Sequence, residues 1–126
     1  MVLLFAVLGI ALSALLSLKY LEKPRSTFAS FANMEAAGMI DAGWLPDYLP
    51  KSAVNIEERH DLDTNEVWAS FAYHPGDVEA VRGVCTKIAE NDRGSKYICP
   101  PFDARTSTIV LTKNGTGYYR SYPNGI

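Results

Sequence analysis

Apolar and polar residues change their rhythm along this chain, and each rhythm points to an element. Residues 2–18, VLLFAVLGIALSALLSL, are almost wholly apolar, broken only by Ser13 and Ser17. A helix on a globular surface would show a polar position every third or fourth residue. As a helix this run reaches about 26 Å, close to the about 30 Å of a bilayer's hydrocarbon core. It therefore predicts an N-terminal transmembrane helix. A cleaved signal peptide would want a basic start and small residues in A-x-A spacing. Neither Ala11-Leu12-Ser13-Ala14 nor Ala29-Ser30-Phe31 supplies that pattern. The expected division is 1–22 as a membrane anchor or uncleaved signal segment, 23–26 as a linker, and 27–126 as a single domain.

Beyond the linker, Ser26 or Thr27 can cap a helix running to about Ala42, with Phe28, Phe31, Met34, Met39 and Ile40 as its apolar contacts. Gly43 is a natural stop. Pro46 and Pro50 then forbid a helix interior or a central strand, so 43–50 reads as an ordered loop that lids the core with Trp44, Leu45, Tyr48 and Leu49. In 53–60 Val54, Ile56, Glu58 and His60 alternate onto one face; in 66–73 Val67, Ala69, Phe71 and Tyr73 do the same. Asp61–Asn65 has turn composition, so the two runs read as a hairpin. Asp77 is a candidate N-cap for a helix over 78–90, in which Val78, Val81, Cys85 and Ile88 recur at helical spacing. Asn114-Gly115 between 107–112 and 118–122 signals a second hairpin. The expected order after the membrane helix is α-β-β-α-β-β, an α+β two-layer sandwich with both helices on one face of an antiparallel sheet.

Charge narrows the function. The 126 residues carry 12 basic and 14 acidic side chains, net −2, all after the apolar run. A mildly acidic domain does not bind nucleic acid through a generally basic face. Lys19, Lys23 and Arg25 follow the apolar run, and the positive-inside rule would keep that side cytoplasmic. The two cysteines, Cys85 and Cys99, argue the other way. An even count in a small anchored domain favours a disulfide and an extracytoplasmic location. The alternative is two thiols, with Cys85 a small apolar residue on a helix face. The domain is expected outside the cytoplasm, on the periplasmic side.

Candidate chemistry is sparse. Asp61, Asp63 and Asn65 match the first three ligand positions of a calcium loop, but Glu66 stands where that loop needs glycine and Ala72 where it needs glutamate. Asp61 and Asp63 are weak metal candidates, and no cofactor is expected. His60 beside Glu58 and Asp61 has the makings of an acid–base pair. No nucleophile elbow, phosphate loop, dinucleotide fingerprint or zinc-protease motif accompanies it. Aromatic residues offer a different kind of site. Trp44, Tyr48, Trp68, Tyr118 and Tyr122 are the binding candidates, with Trp68 on the strand face opposite Val67 and Phe71.

The stretch Gly43-Trp44-Leu45-Pro46-Asp47-Tyr48-Leu49-Pro50, followed by His60-Asp61-Leu62-Asp63-Thr64-Asn65-Glu66-Val67-Trp68, resembles a motif of small uncharacterised bacterial envelope proteins with an N-terminal membrane segment. The resemblance covers residues 43–68. It implies an envelope setting and transfers no catalytic residue. The leading expectation is a non-catalytic, membrane-anchored module binding an envelope protein or a cell-wall component. A small hydrolase or metal-dependent enzyme using His60, Asp61 and Asp63 is the first alternative, and an inhibitor or immunity-type protein the second.

Overall fold

A computed structural model describes residues 25–125. Two stretches of alternating residues that form hairpins account for its centre. β2 (Val54–His60) and β3 (Val67–Ala72) pair antiparallel, and β6 (Arg105–Thr112) and β7 (Thr116–Pro123) pair antiparallel around Gly115, whose φ of 90° suits only glycine. β7 then lies along β3, from Val67 opposite Ser121 to Ala72 opposite Thr116. Gly117 permits this approach, because a Cβ there would land in the Phe71 ring. Around this centre sit β1 (Arg25–Ser30), β4 (Thr86–Asn91) and β5 (Gly94–Cys99), giving one seven-stranded antiparallel sheet in the order β1-β2-β3-β7-β6-β5-β4. Among the described residues there are two short helices, α1 (Phe31–Ala36) and α2 (Glu79–Val84).

This architecture corrects the expected α-β-β-α-β-β sandwich. The helix expected over 27–42 is a strand, a single helical segment and a series of turns. Arg25–Ser30 pairs with β2 from Arg25 opposite Arg59 to Ser30 opposite Val54, and Phe28 faces the core from that strand. Ser30 caps α1 by accepting from the Asn33 amide at 3.2 Å, and Gly38 at φ 81° ends the segment. The helix expected over 78–90 stops at Val84. Its latter half is β4, turned back into β5 at Asp92-Arg93, where the Asn91 side chain accepts from the Arg93 and Gly94 amides. Asp77 does not cap α2. Its carboxylate accepts from the Ser52 amide at 2.9 Å, tying the turn after β3 to the loop over the core. The transmembrane helix expected at 2–18 lies outside the described residues. Among the described residues no helix is long and apolar enough to cross a membrane. Arg25 and Ser26, placed in the 23–26 linker by sequence, already belong to β1.

The core lies on one face of the sheet. Ile56, Val67, Ala69, Phe71, Tyr97, Ile109, Leu111 and Tyr119 project into it from the strands. Phe31 and Met34 of α1, Val81 of α2, and Met39, Leu45, Tyr48 and Leu49 of the intervening loop cover it. The prolines make that loop a lid without regular structure, and its apolar side chains hold it down. Cys85 and Cys99 form a disulfide that ties the end of α2 to the end of β5. The bridge closes a short loop, which in the chain-entropy picture contributes about 3 kcal/mol.

Candidate functional site

The opposite face of the sheet has no covering layer among the described residues. Antiparallel register brings its side chains into rows that cross the strands. One row runs Arg25, Arg59, Trp68, Arg120, Thr108, Ile98, each directly opposite the next on the neighbouring strand. The adjacent row runs Thr27, Glu57, Ser70, Tyr118, Val110, Lys96. All of these except Thr27 and Ile98 line a shallow depression of about 550 Å³, whose walls include Arg25, Arg59, Trp68, Lys96, Tyr118 and Arg120. Tyr118 is 51% exposed and Trp68 is half-buried. Arg25 pairs with Glu57 at 3.0 Å, and Arg120 pairs with Glu66 at 3.4 Å while lying 4.8 Å over the Tyr122 ring. Arg59 has no ion-pair partner among the described residues. Four cations thus face one surface of a chain whose net charge is −2.

The sequence-identified aromatics divide between two places. Trp68, Tyr118 and Tyr122 share the open face. Trp44 and Tyr48 belong to the lid on the core side. Tyr48 is 8% exposed, and burial together with the neighbouring Tyr119 phenol lifts its hydroxyl far above the usual tyrosine range. Trp44 stacks on the His60 imidazole with centroids 3.8 Å apart.

His60 itself is turned inward. Its Nδ1 shares a hydrogen bond of 2.6 Å with Glu58 Oε1, and the Glu58 carboxylate is completely buried. Glu58 Oε2 has no hydrogen-bond partner. Burial pushes the Glu58 carboxyl above its ordinary range, and the bond to His60 opposes that rise. The group can hold a proton between the two side chains; the indole covering one face of the imidazole fixes its orientation. Asp61 is occupied elsewhere: its Oδ1 accepts from the Asp63 amide at 2.9 Å and the Thr64 amide at 3.3 Å, an Asx turn closing the β2–β3 hairpin. His60, Asp61 and Asp63 are therefore adjacent in sequence without converging on a common point. Among the described residues no group of three or more His, Cys, Asp or Glu side chains is arranged to hold a metal ion.

Sequence reasoning missed the arginines of the open face. The parity of each strand was available, since Arg59 alternates with Glu58 and Arg120 with Tyr119. Missing was the register between strands far apart in sequence, above all the pairing of β3 with β7.

Residues 22–72 match a family model described as the YbbD head domain. The match takes in two fifths of the chain, from before β1 to the end of β3, and includes the stretch 43–68. It supports the expected relation to a family of small bacterial proteins. The membrane segment expected with that family falls outside both the match and the described residues. No curated protein and no solved structure is significantly similar to the chain.

Proposed function

We propose that this chain is a non-catalytic binding module of the bacterial envelope, acting outside the cytoplasm and taking its partner on the open face of the sheet. The observation that carries the reading is the uncovered depression where Trp68, Tyr118 and the arginines meet. A surface that combines aromatic rings with arginine side chains has the composition of contact hot spots. The Cys85–Cys99 disulfide supports an oxidising compartment. The similarity to a family of small bacterial proteins supports the setting.

The test is site-directed photocrosslinking in intact cells. A benzophenone amino acid at Tyr118 should yield a discrete adduct, with protein or glycan. The same group at Leu62, exposed at the hairpin tip, should yield none. Trp68→Ala should abolish the Tyr118 adduct while leaving the melting temperature within a few degrees. Equal labelling from both positions, or none from Tyr118, would remove the open face as the binding surface.

A further inference from the structure

Resting on that binding-face reading, we infer the class of the occupant: an acidic, uronate-bearing polysaccharide lying across the strands. The row Arg25–Arg59–Trp68–Arg120 supplies the argument. Neighbouring strands lie about 4.8 Å apart, so Arg59 and Arg120 stand about 10 Å apart with the Trp68 indole midway. Arg25 and Arg59 are directly opposite each other, an arrangement of like charges that weakens a sheet. Glu57 relieves it only at Arg25. A row of cations that costs the fold some stability, on a chain of net negative charge, is complementary to an anion outside it. Guanidinium forks match carboxylates in two-point geometry. Arg120, held by Glu66 and by the Tyr122 ring, is set in place before any ligand arrives.

Three features favour a glycan over other polyanions. A pyranose residue advances along its chain by about one strand spacing, so successive sugars meet successive members of the row. An extended peptide advances about 3.3 Å per residue and falls out of step. Beneath Arg59, Trp68 and Arg120 the strands β2, β3 and β7 are interior to the sheet, with a neighbour on each side, and Arg25 alone stands on an edge strand, so a peptide crossing the row forgoes over most of it the main-chain hydrogen bonds that give strand-adding peptides affinity. Lastly, the remaining positions suit sugars. The Trp68 and Tyr118 rings offer flat apolar faces to ring C–H groups, and Thr27, Ser70 and Thr108 offer hydroxyls that both donate and accept.

The experiment is calorimetric titration of the full chain, in detergent, with decameric oligogalacturonate. Dextran oligomers, poly-glutamate and oligo-thymidylate serve as neutral, peptide and nucleic-acid comparisons. Oligogalacturonate should bind, with affinity falling as salt rises, and dextran should not. Arg59→Ala should weaken binding about tenfold, or about 1.4 kcal/mol. Arg59→Lys, which keeps the charge and loses the fork, should recover only part of the loss. Lys113→Ala, in the β6–β7 turn, should change nothing. Equal or tighter binding of poly-glutamate or oligo-thymidylate would overturn the glycan assignment, as would an Arg59→Ala variant that binds normally. If no polymer binds while Tyr118 still crosslinks in cells, the glycan assignment fails and the binding face stands. If neither occurs, both fail.

Discussion

Glu58 is the residue whose environment departs furthest from its chemistry. A carboxylate with no exposure needs partners for both oxygens, and it has one, His60. Its neighbours across the strands, Ser26 on β1 and Ala69 on β3, bring no charge. Burial therefore raises the folded-state pKa above the ordinary 4.5. The sign follows from linkage. A carboxyl group raised on folding contributes stability that is fully present below its unfolded pKa and is lost as pH rises through the folded value. Melting temperature should decline as pH rises from about 4.5 toward neutrality. Glu58→Gln, whose carboxamide oxygen still accepts from the imidazole, should reduce that slope. Thermal melts of both proteins across pH test this, and parallel curves would show that Glu58 does not drive the dependence. At this scale the sequence was partly legible. Strand alternation put Glu58 and His60 on one face, which is where they meet. The stacking of Trp44 on His60 was hidden, because it depends on how a proline-bounded loop folds back over the sheet.

At the scale of elements, two hairpins were readable, while the β4–β5 hairpin and the helices were not. β2–β3 and β6–β7 announce themselves through period-two alternation and turn residues. The two long helices failed for separate physical reasons. In 25–36 the apolar residues Phe28, Phe31 and Met34 satisfy helical spacing, yet a strand followed by a helical turn places them on the same core. In 78–91 the apolar positions Val81, Cys85 and Ile88 also fit a helix. However, Ile88 is 53% exposed, and all six residues of β4 are exposed. β4 is an edge strand with a bulge between Lys87 and Ala89, held at its start by the disulfide and along its length by β5 alone. Its stability is expected to depend on the bridge more than that of any interior strand. Cys99→Ser should cost about 2–5 kcal/mol of unfolding free energy. In hydrogen exchange the amides of β4 should lose protection before those of β3 or β7. Uniform loss across the sheet would mean that β4 is not a separately fraying unit.

At the scale of the whole molecule, the sheet is two meanders joined at β3 and β7, and the chain must cross from the middle of the sheet to its far edge between β3 and β4. That crossing was not legible, since no local pattern tells β4 to occupy an edge four strands away from β3. One consequence bears on the segment 22–72 that matches the YbbD head domain. It contains β1, α1, the lid, β2 and β3, but β3 would lose its β7 partner, and Gly117 would no longer lie against Phe71. The lid residues Met39, Leu45, Tyr48 and Leu49 would face a core without Tyr97, Ile109, Leu111 and Tyr119. Burial of apolar area is the main stabilising contribution, and a three-stranded remnant of about 50 residues leaves little surplus over chain entropy. In this chain, therefore, residues 22–72 produced alone should lack a cooperative thermal transition and exchange their amides freely. Adding residues 73–126 as a separate chain should restore protection in β3, because β7 supplies both its hydrogen-bonding partner and the other half of the open face. A cooperative melt of the isolated 22–72 segment would show that its side of the sheet folds independently, and that the row running from Arg59 through Trp68 to Arg120 is assembled by docking two preformed halves.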